Sequence, residues 1–418
     1  MKCSIFSVGT ELLMGQVTDT NAVFLSRQLN LLGFDVLYRY TVGDNDGRLG
    51  ELLELALKDT DLVVMTGGLG PTEDDMTKET VTRVLHDELV LHEPSRKALI
   101  ERYKIRPHKM TPNNLKQAMM PSRAVVFDND AGTAPGFCLE YEGKRVICMP
   151  GPPREMTRMY ERRVLPYLEP FRTASIYQRT LRFFGYGESR LETALLDLID
   201  SQTDPTIATY AKEGECTVRV ASKREDGKDA KKAVDDMVDV IYDRLSDYCF
   251  STDNEELVEV VAKKLLDRGI TISCAESMTG GMFAETLTKI PGISEVFDRG
   301  IVSYTYKAKM EELGVHPETL QEFTAVSEPV AVQMAEGVQK ASGSRLAVSV
   351  TGIAGPGGAE PGKPVGLVYI GCIFDGKTTV RRYVMRNVNR DWNRHYAVLL
   401  MLNMINKIID GKDVPEII

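Results

Sequence analysis

Leu62-Val63-Val64-Met65-Thr66-Gly67-Gly68-Leu69-Gly70-Pro71-Thr72-Glu73-Asp74-Asp75 carries the architecture of the first part of the chain. Leu62 to Met65 is an unbroken apolar run, as expected of a strand buried on both faces. Such strands belong to sheets covered by helices, and ligands collect beyond their carboxyl ends. The three glycines let a backbone approach an anion closely, and a helical pattern through Val84 adds the dipole of a helix start. Asp74 and Asp75 read in two ways. They cap that helix, the commoner use, or they hold a divalent cation on a phosphate. No Gly-Lys-Ser/Thr follows, so the loop is not a P-loop.

Outward from this run, strand and helix patterns alternate. Lys2 to Val8 is a short apolar strand ending at Gly9. Asn21 to Leu32 places Leu25, Leu29 and Leu32 at helical spacing and stops at Gly33. Phe34 to Val42 is strand-like, and Leu49, Leu52, Leu53, Ala56 and Leu57 line a helix face. Residues 1–170 are therefore expected to form a three-layer α/β sandwich with parallel pairing. Two more turn-rich loops, Asn129 to Gly136 and Pro150 to Glu155, flank a strand pair (Phe137 to Tyr141, Arg145 to Met149). Turn chemistry explains each alone; three such loops in one domain point to a pocket.

The chain's 418 residues suggest about three domains. With 51 Lys and Arg against 60 Asp and Glu the net charge is -9, which gives no general attraction for nucleic acid. No apolar stretch reaches the ~18 residues of a spanning helix, and Glu11 interrupts any signal-like start. Seven cysteines without a C-x-x-C, and five histidines without a ligand-like pair, argue against a zinc site or a disulfide framework. A cytoplasmic location follows as the expectation.

Residues 171–250 read as a small β-α-β-β-α unit. Its strands are Ser175 to Phe184, Thr206 to Tyr210 and Glu215 to Ser222, and its helices Glu188 to Ile199 and Lys228 to Leu245. It has no G-x-x-G clamp for a nucleic-acid backbone, and Lys223, Arg224 and Lys228 are offset by Glu225, Asp226 and Asp229. A packing or dimerisation purpose is expected.

After Ser251 to Asn254, residues 255–418 form a third segment. A helix from Glu255 to Asp267 ends at Gly269, and the strand Ile270 to Cys274 runs into Ala275-Glu276-Ser277-Met278-Thr279-Gly280-Gly281. Ser277 at a strand-to-helix joint is either a helix cap or an exposed nucleophile facing backbone donors. Phe297 to Tyr304 is a strand leading to Lys309, and Arg345 to Val350 empties into Thr351 to Gly358. His316 and His395 lie in polar contexts without an acid partner, so a Ser-Lys pair is favoured over a Ser-His-Asp triad. Lys309 must then be neutral part of the time, although most lysines are solvated surface groups.

These segments resemble the CinA family of competence/damage-inducible proteins, in order and over nearly the whole chain. Gly9 to Leu13, Thr20-Asn21, Thr66 to Glu79, Gly132 to Gly136 and Pro150 to Met156 resemble its N-terminal domain, which is related to the molybdopterin-binding fold. The middle segment resembles its KH-like domain. Ala275 to Gly281, Gly300 to Lys309, Ala325 to Ala331, Val350 to Gly358 and Lys363 to Tyr369 resemble its C-terminal α/β domain, the nicotinamide mononucleotide (NMN) deamidase. The resemblance implies a Ser and a Lys 32 positions apart acting together, as Ser277 and Lys309 stand, with Tyr304 at the family's tyrosine.

It further implies that Thr279, Gly280, Gly281, Gly352 and Gly355 lie at the substrate, with Arg394 at its phosphate. In the N-terminal domain it implies a metal-dependent ADP-ribose pyrophosphatase. Asp74, Asp75 and Glu11 would hold a divalent ion (Mg, Mn or Co), and Gly67, Gly68, Gly70 and Thr133 would contact the ligand. The family commonly has Asn at Tyr306 and Thr at Leu367, and a bulky Tyr306 could reshape the nicotinamide pocket. The expected function is pyridine-nucleotide salvage by a homodimer acting on NMN and ADP-ribose. The other readings are a binding module for a nucleotide or pterin, and a competence- or repair-associated scaffold.

Overall fold

Alternation along one strand builds two cores. In β1 (Lys2–Val8), Cys3 and Ile5 pack into one helical layer, while Phe6 and Val8 pack into the other. The computed structural model describes residues 1–104, 110–172, 174–212, 214–224, 230–386 and 388–414. These divide into two compact units, Met1–Tyr177 with Ser222–Ala233, and Gln178–Ala221 with Val234–Ile418.

In the first unit β1 lies between β2 (Asp35–Val42) and β3 (Leu62–Thr66), all parallel. A separate antiparallel pair, β4 (Leu89–Leu91) and β5 (Met119–Pro121), precedes β6 (Val125–Phe127), β7 (Gly136–Tyr141) and β8 (Lys144–Met149). The main sheet runs β2-β1-β3-β8-β7-β6; β3 and β8 pair in parallel, and β7 and β6 extend it antiparallel. Thr20–Leu31 buries Leu25 and Leu29 on one face, its start capped by Asp19. Asp46–Asp59 buries Leu49, Leu53 and Ala56 on the other, capped by Asn45. This is the expected three-layer sandwich, with mixed rather than all-parallel pairing. Truncating a core residue such as Leu29 to Ala would cost about 2–5 kcal/mol.

The second unit holds a larger sheet and most of a smaller one, residues 175–177 and 222–224 of the latter belonging to the first unit. In the smaller, β9 (Ser175–Phe184), β10 (Thr206–Lys212), β11 (Glu215–Arg224) and β12 (Cys249–Ser251) take the order β10-β11-β9-β12. Its helices are Glu188–Asp200 and Ala230–Leu245. The helix start expected at Lys228, and the charges of Glu225, Asp226 and Asp229, lie outside the described residues. In the larger, β13 (Ile272–Glu276), β14 (Phe297–Val302) and β15 (Leu346–Gly352) are parallel, and β16 (Leu367–Phe374) and β17 (Lys377–Val384) continue antiparallel. The order is β14-β13-β15-β16-β17. The closing helix Arg390–Ile409 has no apolar stripe, because it is buried on nearly every side from Ala397 to Ile405. Among the described residues no helix is long and apolar enough to cross a membrane.

Candidate functional sites

At the carboxyl end of β13 the chain turns at Ser277 under tight control. Ser277 donates its N–H to the Val350 carbonyl of neighbouring β15. Buried Glu276 accepts from the N–H groups of Gly281, Phe283 and Ala284 at 3.0, 3.1 and 2.9 Å, holding the start of the Met282–Thr288 helix. An anion at a helix start is favoured by the helix dipole. The N-cap residue Gly281 supplies no side-chain cap and Glu276 takes the N–H groups there, so capping is not the purpose of Ser277. Gly280 and Gly281 sit at φ +60° and +96°, backbone that favours glycine.

Lys309, in the first turns of Tyr306–Leu313, reaches this serine. Its Nζ donates to Ser277 Oγ at 2.9 Å and to the Ser303 carbonyl at 2.7 Å. Its exposure is 0%, against 9% for Ser277, so it is no solvated surface lysine. Burial lowers its pKa from 10.5 to about 8, because the ammonium has lost its water. His316 and His395 are both exposed, and the side-chain partner of Ser277 among the described residues is Lys309.

The donors around Ser277 are not all those expected. Gly280 spends its N–H on the Ser277 carbonyl and Gly281 on Glu276. Met278 and Thr279, the two residues after Ser277, donate their N–H groups to no acceptor among the described residues. They are the donors free to face a developing oxyanion. The buried hydroxyls of Thr279 and Ser303 are also without a partner.

The first turn of Arg390–Ile409 joins the loops of this site. Arg390 donates to the Gly355 carbonyl at 2.6 Å and to Tyr304 Oη at 2.7 Å. Asn393 donates to the Ala354 carbonyl at 2.9 Å, and Arg394 to the Thr279 carbonyl at 2.8 Å. Tyr304 is 56% exposed and its hydroxyl sits on Arg390, not on the Ser277–Lys309 pair. Gly352 packs where a Cβ would lie 2.4 Å from Met278 Sδ, so the two loops touch. The Tyr306 hydroxyl accepts from the Ala325 N–H at 3.2 Å, and Leu367 is buried at the start of β16. Glu276 and Asn393 were not singled out by sequence reasoning, and Arg390 entered it only within the Arg390-Asp391-x-x-Arg394 run that resembles a family segment.

In the first unit the glycine loop lies at the carboxyl end of β3. Glu11, Gly67, Gly68, Gly70, Asp74, Asp75 and Thr133 all line one cavity of about 520 Å³. Gly67 and Gly68 have φ +108° and +67°, and a Cβ on them would lie 2.1 Å from the Val8 carbonyl oxygen and 2.2 Å from Thr77 Oγ1. The helix Thr77–Val84 has no side-chain cap, so neither aspartate caps it. Asp75 instead accepts from the Thr72 N–H at 2.9 Å and from the Thr72 hydroxyl.

Lys116 clamps this turn from below, donating to the Thr72 and Asp75 carbonyls at 2.9 and 2.6 Å. Buried Lys78 donates in turn to the Lys116 carbonyl at 2.6 Å, and desolvation lowers its pKa to about 8. Neither lysine stood out in the sequence. Among the described residues no three His, Cys, Asp or Glu side chains gather into a metal-binding cluster. The hard oxygens of Asp74 and Glu11 on one cavity suit a cation held by one or two carboxylates, its own water and a substrate phosphate, the habit of magnesium.

A sandwich domain with a glycine-acid cavity, a small α+β sheet and an α/β domain with a Ser-Lys turn define a multidomain α/β protein. Three family profiles cover it in that order: "Probable molybdopterin binding domain" over residues 4–170, "Damage-inducible protein CinA KH domain" over 178–251 and "CinA C-terminal domain" over 254–409. A protein of Acetivibrio thermocellus named for competence-damage induction is 47% identical over 409 residues, 98% of this chain and 99% of its own. A CinA-like protein of Dictyoglomus turgidum is 44% identical over 407 residues, 97% of this chain and 99% of its own. The crystal structure of the protein CinA, of unknown function, from Thermoplasma acidophilum covers 41% of this chain and 98% of its own at 35% identity, with a TM-score of 0.37. The chain belongs to the CinA family of competence/damage-inducible proteins.

Proposed function

We propose that the second unit hydrolyses the carboxamide of NMN to nicotinate mononucleotide and ammonia. The observation that carries this reading is the buried Lys309 amine 2.9 Å from Ser277 Oγ, without a carboxylate to hold its charge among the described residues. In its neutral form Lys309 keeps an N–H on the Ser303 carbonyl and turns its lone pair to the Ser277 hydroxyl. Ser277 Oγ attacks the carboxamide carbon while Lys309 takes the hydroxyl proton. The N–H groups of Met278 and Thr279 receive the oxyanion. The Lys309 ammonium returns its proton to the leaving nitrogen, ammonia departs, and the ester on Ser277 is opened by water. Arg394 and the Gly352 to Gly358 loop take the phosphate. Ammonia release from NMN by the purified chain tests this, beside Ser277→Ala and with nicotinamide and glutamine as control amides. Release from NMN by a folded Ser277→Ala protein would refute it.

The cavity of the first unit supports a second activity, hydrolysis of ADP-ribose to AMP and ribose 5-phosphate. A divalent ion held by Asp74 and Glu11 would neutralise the diphosphate and acidify a bound water. Gly67, Gly68 and Gly70 would lay backbone against the phosphates, with Thr133 across the cavity, and Lys116 keeps the acidic turn in place. Replacing Asp74 and Asp75 together should abolish metal-dependent AMP release. The engagement of Asp75 with Thr72 favours one rival, a cavity that binds nucleotide or pterin without turnover. Calorimetric binding of ADP-ribose with no AMP formed would establish that rival.

A further inference from the structure

A separate cavity of about 360 Å³ lies within the second unit, in the range of small-molecule sites. The Gly185-Tyr186-Gly187 turn, the end of β10 at Ala211 and Lys212 and the start of β11 at Glu215 and Cys216 form one wall; β17 and the first turns of Arg390–Ile409 form the other. Trp392 and Tyr396 line it as a stacked pair, ring centroids 4.7 Å apart and planes 11° from parallel. Both rings are half-buried, and so is Tyr186, over which Arg190 sits at 4.6 Å. Flat aromatic surface open to a cavity takes a planar ring.

Among the described residues, the charges of the lining are not balanced. Lys212 and Arg386 are exposed there, and neither has an ion-pair partner among the described residues. Of the two acids among the described residues of the wall, Glu215 is committed to Arg182 in a buried ion pair, which leaves Glu188 against two cations. The lining therefore complements a planar ring that carries negative charge.

We propose that this cavity binds a mononucleotide, its heterocycle against Trp392 and Tyr396 and its phosphate at Lys212 and Arg386. The site stands apart from Ser277 but shares a helical turn with it. Trp392 occupies the turn whose Arg390, Asn393 and Arg394 hold the Gly355, Ala354 and Thr279 carbonyls. A ligand stacked on Trp392 is thus placed to bias those loops, a consequence that rests on the deamidase reading, whereas binding does not.

Trp392 is the one tryptophan of the chain, so its emission reports on this wall directly. The test titrates the full chain carrying Ser277→Ala with AMP and with nicotinate mononucleotide, and with adenosine and inorganic phosphate as partial probes. The Ser277 variant removes turnover, so the result stands whether or not the deamidase reading does. The expected result is a saturable change with at least one mononucleotide and none with phosphate. The dissociation constant should rise about tenfold in Lys212→Ala/Arg386→Ala, the loss of one well-made charged contact. No change with either mononucleotide would overturn the proposal. So would an unchanged dissociation constant in the double variant, or adenosine binding as tightly as AMP.

Discussion

Replacing Lys309 with Met should end ammonia release and yet strengthen the fold at neutral pH. Burial lowers the Lys309 pKa from 10.5 to about 8, so the folded state holds its proton less tightly than the unfolded chain does. That shift corresponds to roughly 3 kcal/mol of cost for keeping the ammonium inside. Because the folded value lies below the unfolded one, the cost is complete below pH 8. It fades as pH rises toward 10.5, and stability contributed by this site rises with pH across that window. Met fills similar volume without charge but forfeits the bonds to Ser277 Oγ and the Ser303 carbonyl, about 1 kcal/mol each. The net gain at pH 7 is therefore about 1 kcal/mol, turning into a loss near pH 10. Denaturant unfolding of both proteins at pH 7 and pH 10 measures it, following the transition by Trp392 emission. The same shift sets the rate profile of the wild-type protein. At pH 7 about one lysine in ten is neutral, so kcat/KM should rise about ninefold from pH 6 to 7, about fivefold from pH 7 to 8, and then level. A Lys309→Met protein that loses stability at pH 7, or a wild-type profile flat between pH 6 and 8, would refute the reasoning.

Glu276→Ala leaves three N–H groups at the Met282–Thr288 helix start, one buried and two half-buried, without an acceptor, and should cost about 2–4 kcal/mol in the same unfolding assay. Gly68→Ala, at φ +67° with Thr77 Oγ1 2.2 Å from the new methyl, should weaken ADP-ribose binding at least about tenfold by calorimetry and leave ammonia release from NMN unchanged. Arg390→Ala frees the Gly355 carbonyl and the Tyr304 hydroxyl together, so KM for NMN should rise about tenfold with a smaller change in kcat.

Which parts of these sites were readable follows from where their signals lie. Loops after buried strands are marked by glycine, and the glycine and acid positions singled out for the first unit line one cavity. Ser277 was visible for the same reason, at the end of β13 with glycines behind it. Capping was the commoner explanation for Ser277, Asp74 and Asp75, and only the observed helix starts at Thr77 and Met282 separate capping from other uses. Glu276 was hidden because a carboxylate within an apolar strand carries no local sign of the three N–H groups that its fold brings to it. Lys116 and Lys78 were hidden because a lone lysine is ordinarily solvated, and burial is a property of the tertiary structure.

The closing helix escaped for a different reason, and it is the element that explains most about the second unit. Its apolar residues surround it, so no 3.6-residue stripe exists to be found. That turn faces two ways. Arg390, Asn393 and Arg394 grip the backbone carbonyls of the loops beside Ser277, while Trp392 and Tyr396 present stacked rings to the other cavity. Two guanidinium donors and one amide on a helix anchored by a buried core tie these carbonyls to a common support. A displacement of Trp392 would reach Gly355, Ala354 and Thr279 through that one turn, whereas Tyr306 bears on the Thr351 to Gly358 loop by way of Ala325, whose N–H its hydroxyl accepts and whose carbonyl takes the Thr351 hydroxyl. Under the proposed amidase activity, variation at Tyr306 should alter which amide fits, and variation at Trp392 how firmly the loops are held.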